Sequence, residues 1–216
     1  MKDKTKWIIA LFFVIGTVIG FGIMEYMKKE ELAGGVIEMP EDKKSGATGV
    51  SMGIPEIDGK FVLLNNNGET VTQDDFKGQY KLIFFGFTFC PAVCPTELGR
   101  MAIIMSILGG DSNKVQPLFI SIDPERDTPE VIGAYVPQFH PRLIGLTGSV
   151  EQIEAVKESF KVFAAKAENE MMDEYMMDHS TYMYLMSPDN KLLKLYSTSD
   201  GVESIVQDIK GLLAQE

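Results

Sequence analysis

Residues 81–98 read Lys81-Leu-Ile-Phe-Phe-Gly-Phe-Thr-Phe-Cys-Pro-Ala-Val-Cys-Pro-Thr-Glu-Leu98. The opening run, Lys81 to Phe87, is apolar, aromatic-rich and too short for a helix, which makes it a buried strand. After the cysteines, Thr96 to Leu108 carries apolar residues at helical spacing and stops at Gly109-Gly110. Cys90 and Cys94, the only two cysteines of the chain, therefore sit at a strand-to-helix junction. With three residues between them, their sulfurs stand one turn apart on one face once the helix has begun. Backbone N–H groups at a helix start lower a thiol's pKa and favour thiolate, which is both the nucleophile and the metal-binding form. The pair is thus a site for soft-metal binding or thiol redox chemistry. Two buried structural cysteines, or a static disulfide, are the plainer alternative.

Working outward, the segment after the helix is Val115 to Ile122, a second apolar strand with Pro117 near its start or at a bulge. Asp127-Thr-Pro-Glu130 opens a helix running towards Phe139: a capping residue (here read as Asp127), a proline in the first turn and an acid three places on. Leu143 to Thr147 is a short strand, and Ser149 caps a helix to about Phe160. Upstream, Asn65-Asn-Asn-Gly68 marks a hairpin. Downstream, Tyr182–Met186 and Leu192–Ser197 form another around Pro188-Asp-Asn-Lys191, and Val202 to Ala214 is a closing amphipathic helix. Strand and helix alternate through the middle with a hairpin at each end. The expected fold class is α/β, a central mixed sheet with helices on both faces.

The chain has 216 residues and a formal net charge of −11, with no Lys/Arg-rich run beyond its first residues. That excludes nucleic acid, which selects basic stripes, and 45% hydrophobic composition is ample for a core. Trp7 to Met24 is uncharged for eighteen residues. At about 1.5 Å per residue it reaches about 27 Å, near the thickness of a bilayer's hydrocarbon. Lys2, Lys4 and Lys6 precede it and Lys28 and Lys29 follow, so the positive-inside rule sets the rest of the chain on the outer side. A cleaved signal peptide is the competing reading, although no A-x-A-like site directly follows the run. The expected organisation is a transmembrane anchor (1–29), a flexible Gly- and charge-rich tether (30–50) and a folded domain (51–216).

Three stretches occur in order: Phe85-Gly-Phe-Thr-Phe-Cys-Pro-Ala-Val-Cys-Pro-Thr-Glu-Leu98, then Ser121-Ile-Asp-Pro-Glu-Arg-Asp-Thr-Pro129, then Asp178-His-Ser180 ahead of a Tyr-rich strand. Together they resemble the Sco/SenC family, and the resemblance covers roughly Gly53 to the C-terminus. It implies a thioredoxin-like fold and a membrane-anchored copper protein that helps assemble the dinuclear copper centre of cytochrome c oxidase subunit II. It also implies an inner-membrane, single-pass chain whose C-terminal domain faces the periplasm or the mitochondrial intermembrane space. The family's copper ligands fall on Cys90, Cys94 and His179, and a role close to the metal falls on Asp123, which as Asp123-Pro124 is equally well read as a turn. Two thiolates and an imidazole suit copper: thiolates favour Cu(I) and the imidazole helps accommodate Cu(II).

Only one other histidine exists, His140 in Gln-Phe-His-Pro-Arg, and it is read as a solvated helix-end residue. Met171, Met172, Met176, Met177, Met183 and Met186 crowd around His179 in sequence. They are read first as core fillers and only second as soft copper donors. Arg126 is expected to find an acidic neighbour. Three functions stay open: copper delivery to subunit II, reduction of that subunit's cysteines by a Cys90–Cys94 redox pair, and peroxide reduction, which leaves His179 without a role. C-x-x-x-C in place of C-x-x-C, and His179-Ser-Thr where thioredoxins place a proline, weigh against a general thioredoxin-like reductase.

Overall fold

A computed structural model of the chain describes residues 57–167 and 175–215. The strand read from Lys81 to Phe87 is β3 (Tyr80–Gly86), and all seven of its residues are buried. It pairs in parallel with β4 (Val115–Ser121), also buried throughout, and β4 pairs in parallel with β5 (Ile144–Thr147). Two neighbouring strands with no exposed residue are the mark of a sheet covered on both faces. Outside this parallel centre the pairings turn antiparallel. The hairpin β1 (Val62–Asn65) and β2 (Thr70–Thr72) joins the edge of β5, while β8 (Met183–Met186) joins β3 and carries β9 (Leu192–Tyr196). The seven strands lie in the order β2-β1-β5-β4-β3-β8-β9.

The helices are α1 (Val93–Leu108), α2 (Pro129–Tyr135), α3 (Val150–Phe160) and α4 (Val202–Leu213). The first, α1, packs against β3, β4 and α4, with Cys94, Leu98, Met101, Ile104, Met105 and Leu108 turned into the core. Against β5 lies α2, continued by a 3-10 turn over Val136–Gln138, and α3 covers β1. Ser149 caps α3, as read from the sequence, and the structure adds a full capping box to Gln152. The cap of α2 is Thr128, whose hydroxyl takes the Val131 N–H. Asp127, the residue expected there, is fully buried one position earlier and does something else, described below.

A separate two-stranded ribbon, β6 (Ala164–Ala167) and β7 (Met176–His179), pairs Ala164 with His179. Its composition hides it: Ala-Ala-Lys-Ala has little β preference and no alternation. The mixed α/β architecture is as expected. The anchor and tether (1–29 and 30–50) and Met171 and Met172 lie outside the described residues. Among the described residues no helix is long and apolar enough to cross a membrane.

Candidate metal centre

The backbone leaves β3 at Gly86 and reaches Cys90 through Phe87, Thr88 and Phe89 before α1 begins at Val93. The cap position is Ala92, which has no side chain able to accept a hydrogen bond. The Cys90 sulfur takes that part: Cys94 N–H points at Cys90 Sγ at 3.3 Å. Cys90 therefore stands just outside the helix and half exposed, while Cys94 is inside the first turn and fully buried. Pro95 also falls in this first turn, where an N–H is not needed.

This asymmetry splits the two thiols chemically. The Cys94 thiol hydrogen-bonds to the Cys90 sulfur and pulls the Cys90 pKa down to about 3, with help from the N–H groups of Cys94 and Ala92 against the opposing effect of burial. The same hydrogen bond, together with burial, pushes Cys94 far up. Cys90 is the resting thiolate and Cys94 the proton holder.

Gly86 is what admits the Cys94 sulfur. A Cβ there would lie 2.8 Å from Cys94 Sγ, 3.0 Å from Phe119 and 3.1 Å from Phe84. No signal but the Phe-Gly-Phe pattern marks this glycine in the sequence, and its reason is the close approach of a buried sulfur to the strand.

His179 ends β7 and comes to the cysteines from the opposite direction. Its Nε2 is 3.7 Å from Cys94 Sγ. Its Nδ1 lies 2.9 Å from the Ser180 carbonyl oxygen, which can only accept, so Nδ1 carries a proton. In the neutral ring Nε2 is then the lone-pair nitrogen, and it is the one facing the sulfur. Phe84 and Phe87 meet the ring edge-on at 6.2 and 5.9 Å and wall it in. The structure thus brings Cys90, Cys94 and His179 together from two segments. Among the described residues no group of three or more His, Cys, Asp and Glu side chains is already drawn up as a finished ion cage.

Asp123 and Asp127 are both buried and are held by different partners. Asp127 accepts the Thr88 N–H (3.1 Å), the Thr88 hydroxyl (2.5 Å) and the Ser121 hydroxyl (2.6 Å), which ties the loop before Cys90 to the end of β4. Its backbone carbonyl accepts the Thr147 hydroxyl, adding β5. Burial raises its pKa and these hydrogen bonds oppose the rise. Asp123, 1% exposed, accepts Arg126 Nε at 2.5 Å and the Tyr175 hydroxyl at 2.6 Å. Arg126 thereby gains the acidic neighbour expected for it. Nothing in the sequence pattern singles out Tyr175.

His140 is remote from this cluster in its contacts: Nδ1 accepts the Arg142 N–H, and burial lowers its pKa. Met183 and Met186 are both buried in β8, and Met176 and Met177 are half-buried against the core, so packing accounts for all four.

The model of the SCO1/SenC family matches residues 51–214, nearly the whole of the chain beyond its first fifty residues. The chain belongs to the SCO1/SenC family. Among its relatives, a SCO2-like protein of Rickettsia felis is 38% identical over 212 residues, covering 98% of this chain and 100% of that one. The crystal structure of Arabidopsis thaliana ScoI with copper bound is 42% identical, covers 74% of this chain and 99% of that one, and superposes with a TM-score of 0.69. BsSco, described as a member of the Sco family of cytochrome c oxidase assembly proteins and as carrying a disulfide switch, is 26% identical over 74% of this chain and 95% of its own, with a TM-score of 0.58. For this Sco-family chain the α/β fold is accordingly the Sco fold, a thioredoxin-like sheet flanked by helices.

Proposed function

We propose that the chain is a membrane-anchored copper chaperone that binds one copper through Cys90, Cys94 and His179. It then delivers that copper to the dinuclear centre of cytochrome c oxidase subunit II. The observation that carries this reading is the lone-pair nitrogen of His179 aimed at Cys94 from a separate ribbon, beside a thiolate on Cys90. A redox pair needs no such nitrogen; a copper site of two sulfurs and one imidazole does. Copper is cargo here. On arrival it displaces the Cys94 proton, and the Ser180 carbonyl keeps the imidazole in its ligating tautomer, the usual task of a histidine's outer partner. Half-exposed Cys90 is the ligand an incoming thiol reaches first, which suits hand-over by ligand exchange. The family's place in oxidase assembly, the copper held by the Arabidopsis relative and the apolar run at 7–24 support the client, the cargo and an inner-membrane single-pass location with the domain outside.

The thiol asymmetry favours a second reading in which the same pair reduces the client's cysteines. The Cys90 thiolate attacks the client disulfide, the Cys94 thiol gives its proton to the first client sulfur released and resolves the mixed disulfide, and the second client sulfur leaves as thiolate, to be protonated by water, while this chain keeps the disulfide. His179→Ala in the full-length chain separates the two. Copper stoichiometry falling below one with client reduction intact supports delivery. Unchanged copper affinity removes His179 as a ligand and leaves reduction as the better account.

A further inference from the structure

The geometry points to Arg126 as a positioning residue: a clamp whose stacking between Tyr175 and Phe89 holds the His179 ribbon against the cysteine loop. This rests on His179 being a copper ligand, and it adds what decides whether the imidazole is presented. The guanidinium carbon lies 3.8 Å from the centre of the Tyr175 ring, 4.7 Å from that of Phe89 and 5.8 Å from that of Phe87. Tyr175 immediately precedes β7, the strand that ends at His179, and Phe89 immediately precedes Cys90. One side chain therefore touches both halves of the site. Arg126 is itself fixed: Nε to buried Asp123 at 2.5 Å and Nη1 to the Tyr175 carbonyl at 3.0 Å. The Tyr175 hydroxyl closes the loop on Asp123 at 2.6 Å, and Lys166 of β6 lies over the ring at 4.5 Å.

The ribbon has reason to need this. It is a two-stranded element outside the main sheet, and such a pair is marginal without further support. Arginine suits the place because it donates to a carboxylate and a carbonyl in one plane while its faces stack on rings; lysine does neither together. The cysteines, by contrast, are held by α1 and by Asp127, independently of the clamp. Opening the clamp would withdraw the imidazole and leave two thiolates, a donor set that keeps Cu(I) and serves Cu(II) poorly. The clamp is thus a selector between the oxidation states of the cargo.

The test uses the full-length chain as Arg126→Ala, Arg126→Lys and Tyr175→Leu, with His179→Ala beside them. Aqueous Cu(II) and Cu(I) are titrated separately, and hydrogen exchange of amides 176–180 is followed without metal. For Arg126→Ala the expected result is one Cu(I) still bound and Cu(II) affinity down by roughly tenfold or more, with its thiolate charge-transfer band weakened. Exchange at 176–180 speeds up while that of α1 stays put, and Arg126→Lys recovers only part. If Arg126→Ala does not fold, Tyr175→Leu carries the same expectation with the Arg126–Asp123 pair intact. Cu(II) lost in His179→Ala but unchanged in the clamp variants overturns the clamp and leaves the ligand reading standing. Cu(II) unchanged in His179→Ala overturns both. Equal loss of Cu(I) and Cu(II) in the clamp variants, with α1 exchange also faster, makes Arg126 a general fold residue and overturns the selector.

Discussion

Gly86→Ala is the smallest change that should move the centre. The added Cβ meets Cys94 Sγ at 2.8 Å, where ordinary contact begins at 3.4 Å, so the sulfur or the strand must yield by at least that difference. Neither neighbour gives way easily. Phe119 and Phe84 stand at 3.0 and 3.1 Å from the same point and are fully buried, and β3 is hydrogen-bonded on both sides by β4 and β8. Overpacking of this kind costs about 1–3 kcal/mol. A restricted unfolded chain returns about 0.5 kcal/mol of that, leaving about 1.5 kcal/mol of destabilisation. For a domain of this size that is a fall in Tm of roughly 3–6 °C. The sulfur displaced is the one facing His179, so the thiolate-to-Cu(II) band should shift or weaken in the same variant. Urea unfolding of the reduced, metal-free chain and a Cu(II) titration read the two effects. Stability within about 0.5 kcal/mol of the parent, with an unaltered band, would refute the idea that β3 holds this sulfur in place.

Further outcomes are expected from other contacts of the same centre. Asp127→Ala strands the Thr88 N–H and the Thr88 and Ser121 hydroxyls, and should cost about 3 kcal/mol, with faster hydrogen exchange at the Thr88 amide; a loss under about 1 kcal/mol would mean water replaces the carboxylate. The depressed Cys90 pKa makes its alkylation rate nearly flat between about pH 5 and pH 8, where a free thiol gains about tenfold per unit. The unfolded chain keeps that proton to the ordinary 9.0, so by this group alone the reduced fold gains stability as pH rises from about 3 towards 9.0 and loses it as pH falls. Cys94→Ala removes the donor and should restore the pH dependence; iodoacetamide kinetics with mass spectrometry distinguish the two cases.

Elements with strong periodicity were legible in the sequence. Ser149 marks the start of α3 to the residue, and the apolar runs of β3 and β4 mark the sheet's centre. The ribbon β6–β7 was not, because its pairing depends on position beside the cysteine loop and not on side-chain preference. Asp127 misleads for a related reason. A carboxylate before Thr-Pro-Glu looks like a helix cap, yet Thr128 caps equally well, which frees Asp127 for the interior. Local rules could not see Thr88 and Ser121 waiting there.

The centre itself divides along the same line. Two cysteines at a strand-to-helix junction declare reactive sulfur, and the family resemblance adds His179, but neither distinguishes Cys90 from Cys94. The fold does so through one missing Cβ and one missing cap. Gly86 lets the Cys94 sulfur sink into the sheet, where burial holds its proton, and Ala92 leaves the Cys94 N–H to the Cys90 sulfur. One thiol is thereby a buried acid and the other an accessible thiolate, 3.3 Å from the helix's own amide. A metal carrier needs a ligand that an incoming thiol can reach and two that retain the ion meanwhile. Cys90 fits the first description, and Cys94 with His179 fits the second. The same division would serve a reductase, with Cys90 attacking and Cys94 resolving, so the cysteines alone do not choose between the two functions. The choice lies in the ribbon, where the imidazole's lone pair is worth orienting only if something other than a disulfide is to be bound.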